Sequence, residues 1–178
     1  MSSAARFAFA TAVDDGAALG DPTGLHVVLT PGSVEYRSGG GEVLNRFGWA
    51  QVADLSHDAP SSRARRPGPF AVLTATLAEA VGLDGMLTTA PVTVRVVRSA
   101  EGAEGSVELP CEGFIGRGYY GPHVRALDAA LHVLLAHPTT REVLARPAQL
   151  LGDLAAVTGR PQARARLAQG WGGRCECA

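Results

Sequence analysis

Gly116, Gly118 and Gly121 stand in the segment GRGYYG at the spacing G-x-G-x-x-G, directly before the most periodic helical stretch of the chain. Backbone amides at such a turn, helped by Arg117, can hold an anion at a helix start. A dinucleotide site asks for more, namely a second parallel strand after the helix that ends in an acid for the ribose. Here Pro138 and further helical sequence follow instead. The spacing therefore allows a small-anion site at Gly116, Arg117, Gly118 and Gly121, or glycines that simply let the chain turn from strand to helix.

The other chemically able residues form no complete constellation. His26, His57, His123, His132 and His137 never fall at H-x-x-x-H or H-E-x-x-H spacing, and no metal site is expected from them. His132 and His137 are five positions apart, which on a continuous helix sends them in different directions. His57 beside Asp58 is half of a triad, but no Ser or Cys sits in a G-x-S-x-G elbow to complete it. Cys111 falls in an expected strand and reads as a small core residue. Cys175 and Cys177, in GRCECA, differ: Arg174 favours the thiolate, Glu176 opposes it, and a tail would expose both. They are candidates for modification, for redox chemistry, or for a metal completed by ligands from elsewhere. Arg63, Arg65 and Arg66 make one basic cluster, and Arg160, Arg164 and Arg166 belong to a second run that can meet phosphates.

Composition narrows the classes. With 178 residues, 46% hydrophobic and 19% charged, the chain has the makings of one domain plus a tail, and a net charge of -1 gives no global field for nucleic acid or anionic lipid. All sixteen basic residues are arginine, so a lysine Schiff base and a Walker lysine are excluded. An odd cysteine count argues against a disulfide framework. No apolar run reaches membrane-spanning length and the first residues lack a signal-peptide pattern, so a cytoplasmic protein is expected. No cofactor is expected either.

The elements that must position these residues are strands first and helices after. Residues 1–23 read as an N-terminal arm or extra strand, with Phe7 and Phe9 on one face. LHVVLT and SVEYR flank a Pro31-Gly32 turn, Gly39 to Gly41 make the next turn, and Val43 to Phe47 returns. A further strand ends near His57, FAVLTAT from Phe70 is expected as another, and Pro91–Ser99 with SVELPCEGF forms the clearest hairpin. Val124, Leu127, Leu131, Leu134 and Leu135 then share one apolar stripe, each worth roughly 1.5–3 kcal/mol if fully buried. Residues 138–159 read as a short helical extension, with Thr139 and Glu142 at capping-box spacing and Gly159 at a helix end. Residues 160–178 read as a frayed helix and a flexible tail.

About seven short antiparallel strands followed by one amphipathic helix resemble the pleckstrin-homology-like (PH-like) fold. The stretch LHVVLTPGSVEYRSGGGEVLNRFGWAQVADL resembles the opening of bacterial PH-like domains, with Trp49 and Val52 as the local signature. The resemblance spans residues 24–137. It implies an α+β, mainly β domain: a half-open antiparallel barrel whose mouth is capped by the helix, with short helices appended. It also implies a non-enzymatic binding or scaffolding role through a protein or peptide partner. Lipid-binding relatives carry bases in the first hairpin turn, where this chain has Pro31, Gly32 and Ser33. Two other readings stand beside it: a carrier whose Cys175-Glu176-Cys177 tail is modified, redox-active or metal-binding, and a small nucleotide- or anion-binding enzyme using the Gly116–Gly121 loop.

Overall fold

The computed structural model describes residues 5–62, 89–98, 105–114, 118–160 and 162–175. The fold is α+β, with two antiparallel sheets of six and three strands, a short parallel pair, and three α-helices among the described residues. No closed barrel forms among them.

The first sheet is a meander whose spatial order follows the chain: β1 (Arg6–Phe7), β2 (Ala10–Val13), β3 (Gly16–Leu19), β4 (His26–Leu29), β5 (Ser33–Arg37) and β6 (Val43–Gly48). The N-terminal segment, expected as an arm or single extra strand, thus supplies three strands. Ala17, Ala18 and Leu19 in β3, which pairs with β2 and β4, are all buried, so the strand lacks the polar alternation that one with a solvent-exposed face would show. The expected turns hold. Thr30 N donates to Ser33 O at 2.9 Å across Pro31 and Gly32, and Gly41 takes φ +81° where the β5–β6 connection reverses.

A 3-10 turn at Trp49–Gln51 carries the chain from the first sheet to the second. Trp49 is buried, its Nε1 donates to Thr30 O at 2.9 Å, and Arg141 lies 4.8 Å above its ring. The bend is therefore tied both to the β4–β5 turn and to the helical layer. The second sheet contains β7 (Val52–Asp58), β9 (Val92–Arg98) and β10 (Gly105–Cys111) in the order β10-β9-β7. Val92, Val94 and Val96 point into the core as the alternation predicts. The strand expected from Phe70 lies outside the described residues. Two residues of β8 (Ser61–Ser62) pair in parallel with β11 (Tyr119–Tyr120), a departure from an all-antiparallel expectation.

Helix α1 (Gly121–Ala136) follows β11 without a loop. Its stripe rests on β7, with Val124, Leu127, Leu131 and Leu134 buried, Leu127 at 3% and Leu131 at 1% exposure, and Leu135 partly buried at its end. Ala126, Ala129, Ala130 and Val133 are buried too, because α1 also meets α2 (Pro147–Val157) and α3 (Ala163–Cys175). Between α1 and α2 the chain makes a 3-10 segment, Pro138–Ala145, where a short capped helix is expected. Residues 163–175 depart from the sequence reading. The Ala163–Cys175 stretch, expected as a frayed helix and flexible tail, is a helix whose Leu167 and Trp171 are 2% exposed. Trp171 Nε1 donates to Asp153 Oδ2 at 3.0 Å, which fastens α3 to α2. One continuous apolar core runs from Phe7 to Trp171.

Candidate functional site

Strand β6 is an edge. It pairs with β5 through Val34↔Phe47, Tyr36↔Asn45 and Arg37↔Val43, and no strand lies on its other side among the described residues. Between the last two pairs the register slips, leaving Leu44 as the extra residue of a bulge. Val43 and Leu44 are 38% and 50% exposed, the large apolar side chains most open to solvent among the described residues. Arg46, farther along β6, reaches back to Glu35 Oε1 at 2.9 Å. The opposite edge of the second sheet is guarded differently. Pro110 in β10 has no amide to offer, Tyr36 Oη donates to its carbonyl at 2.7 Å, and Glu112 N donates to Leu25 O at 2.7 Å.

Glu35 is buried among polar partners. Ser33 Oγ donates to Oε1 at 2.8 Å, and Arg37 donates to Oε2 from Nε at 2.9 Å and Nη2 at 2.6 Å. Burial pushes its carboxyl pKa up, yet the hydrogen bonds from Arg37 and Ser33 and the nearby guanidinium charges outweigh burial and hold it below the usual range. Arg37 also pairs with Asp15, which lies just before β3, so the β2–β3 turn, β5 and β6 share one charge network on the rim of the sheet.

A cleft of about 360 Å³ opens between α1 and α3. His132, His137 and Arg164 line it above an apolar floor that includes Val133, Ala136 and Ala168. The helical-wheel expectation that His132 and His137 diverge is overturned. The helix ends at Ala136, and His137 at the cap has φ -127° and ψ 92°, an extended conformation that brings it to the same opening as His132. Arg164 is the one member of the expected Arg160, Arg164 and Arg166 patch that lines the cleft; Arg160 and Arg166 are exposed elsewhere on the surface.

His57 Nε2 lies 2.8 Å from Asp128 Oδ1, and the His57 side chain is 3% exposed. The contact lacks hydrogen-bond alignment, and Nδ1 has no hydrogen-bonding partner among the described residues. Phe9 meets the imidazole edge-on at a centroid distance of 4.6 Å. Desolvation lowers the His57 pKa, against the opposing pull of the Asp128 charge. The sequence pairs His57 with its neighbour Asp58, whereas the fold supplies an acid from α1.

The remaining sequence candidates take simpler places. Gly118 has φ +135°, and an added Cβ would come within 2.7 Å of Pro60 O, so this glycine lets β11 lie against the residue before β8. Gly121 opens α1, with Pro122 beside it in the first turn. Gly116 and Arg117, and likewise Arg63, Arg65, Arg66 and Cys177, lie outside the described residues. Cys175 ends α3. Cys111 is buried, and desolvation raises its thiol pKa to about 12, which keeps it protonated and unreactive. Among the described residues no group of three or more His, Cys, Asp or Glu could hold a metal, and no helix is long and apolar enough to cross a membrane.

Comparisons with protein-family models, with curated proteins and with solved structures found no match to this chain.

Proposed function

We propose that this chain is a non-enzymatic binding module of PH-like type that takes an extended segment of a partner protein along β6. The observation that carries the reading is the edge itself: among the described residues β6 is paired on one side only, and its Val43 and Leu44 stand 38% and 50% exposed. The Arg46 and Gly48 amides donate to the exposed side-chain oxygens of Asn45 and Gln51, each at 3.0 Å, contacts that an added peptide strand would replace beside the open aliphatics. Main-chain hydrogen bonds then give affinity, and alternate side chains give selectivity. The bulge at Leu44 interrupts regular pairing, which leaves Asn45–Gly48 as the pairing length and Leu44 as an apolar anchor beside it.

Two further features support a PH-like binding role. The meander turns at Trp49 from one antiparallel sheet into another and ends in a helix packed on the second, the order on which the PH-like resemblance rests. His57 and Asp128, the pair most like a catalytic dyad, hold the imidazole under Phe9 with 3% exposure, a setting for packing rather than for meeting a substrate.

The test is selection of binders from a random-peptide library on the full chain, followed by hydrogen exchange of the complex. The expected binders are extended and alternate apolar with polar residues, and they protect amides in 43–48. Leu44→Asp weakens them by at least about tenfold, since a charge replaces a buried aliphatic contact. Binders that protect other segments, or that ignore Leu44→Asp, would remove the proposal.

A further inference from the structure

We infer that the cleft between α1 and α3 binds a small organic carboxylate, its headgroup held by His132, His137 and Arg164 and its apolar body laid on Val133, Ala136 and Ala168. This inference is independent of the β6 reading, because the two places share no residue.

The sign of the ligand follows from what faces the cleft. Among the described residues its three polar lining side chains are a guanidinium and two imidazoles, and no carboxylate lines it. Arg164 belongs to the first turn of α3, where the positive end of the helix dipole adds to the same sign. The other wall is the C-terminal end of α1, which would ordinarily present bare carbonyls and a negative dipole end. Three of those carbonyls, of Val133, Leu134 and Leu135, are already engaged. Arg141 Nε donates to Leu134 O at 2.9 Å and its Nη2 to Leu135 O at 3.3 Å. Val133 O accepts from His137 N at 3.0 Å, and Thr140 Oγ1 donates to His137 O at 2.7 Å. The negative helix end is thus partly screened by Arg141 and Thr140, and the first turn of α3 faces it across the cleft.

Shape and chemistry then choose among anions. A cleft of about 360 Å³ falls at the small end of ligand pockets, which span roughly 300–1,000 Å³. An apolar floor gives no benefit to a bare inorganic ion, but it covers a short hydrocarbon or aromatic body. The planar guanidinium fork matches a carboxylate with two parallel hydrogen bonds. His132, Arg164 and Ala165 are exposed, so the headgroup can enter without any element moving.

The experiment titrates octanoate, octanamide and inorganic phosphate into the full chain, following the imidazole resonances of His132 and His137 by NMR. Octanoate should bind saturably and shift both imidazoles together. Octanamide should bind at least about tenfold more weakly, the loss expected when a charge-assisted pair is removed. Arg164→Gln should weaken octanoate by a similar factor, whereas Arg166→Gln, outside the cleft, should leave it unchanged. Equal binding of octanamide, an unaltered Kd in Arg164→Gln, or no saturable shift with octanoate would each overturn the inference. A response to phosphate with none to octanoate would overturn it as well, since the apolar floor would then have no part.

Discussion

Nε2 of His57 lies 2.8 Å from Oδ1 of Asp128, and the two side chains differ sharply in exposure, 3% against 45%. One partner is sealed between β7 and α1 while the other keeps its water. The imidazole therefore bears most of the desolvation, and the half-solvated carboxylate returns only part of it.

This asymmetry sets a pH dependence. The folded-state pKa of His57 is depressed below 6.5, so between that lower value and 6.5 the unfolded chain binds the additional proton. Its stabilising contribution is whole above 6.5 and is lost as pH falls below it. Glu35 and Asp15 act in a lower window. Their depressed pKa values give stability that is present above the unfolded values of 4.5 and 3.8 and is lost as pH falls through the folded ones. Urea unfolding at about pH 7.5 and about pH 5.5 isolates His57 from these carboxylates. The native chain should be less stable at the lower pH, and His57→Gln should flatten the difference. Asp128→Asn should enlarge it by removing the opposing charge. A slope unchanged in His57→Gln would refute the assignment.

Gly118 of the GRGYYG motif has a backbone geometry that excludes a side chain. At φ +135°, and with Pro60 O only 2.7 Å from where a β-carbon would stand, Gly118→Ala should cost about 1–3 kcal/mol. The loss should appear first as faster exchange of the Tyr119 amide, which donates to Pro60 O at 2.7 Å. Full retention of both stability and Tyr119 protection would show that the β8–β11 pairing does not depend on this glycine.

Trp171 should decide whether α3 stays docked. Truncating a fully buried indole typically costs about 3–5 kcal/mol, so Trp171→Ala should expose the Thr158–Arg160 connection to protease. Trp171→Phe keeps an aromatic ring but loses the bond to Asp153, a smaller effect of about 1 kcal/mol. Equal protease resistance in the native chain and Trp171→Ala would count against α3 as part of the core.

Much of the scaffold is legible in the residues themselves. The β4–β5 hairpin follows from its Pro31-Gly32 turn, β9 and its pairing with β10 from period-two alternation, and α1 from the leucine spacing from Val124 to Leu134. Strand β3 is not legible, because Ala17 and Ala18 carry neither strong strand propensity nor a polar alternation. Helix α3 reads as tail because a sequence with Arg164, Arg166 and several glycines looks polar, and two residues, Leu167 and Trp171, supply its buried face. The alanines of α1 are equally silent: a small residue shows no preference until a second helix approaches it.

By itself the chain order determined the local facts: which segments extend, which coil, where Pro31, Gly41 and Gly159 turn the backbone, and that no lysine chemistry is available. Only the tertiary structure decided which distant groups meet. It gave His57 to Asp128 rather than Asp58, brought His137 beside His132 and Arg164, and left β6 with one side unpaired among the described residues. The physical reason is range: turns and helix periodicity are settled between neighbours a few positions apart, whereas a cleft or a sheet edge exists only after sheets and helices have buried their apolar faces against one another.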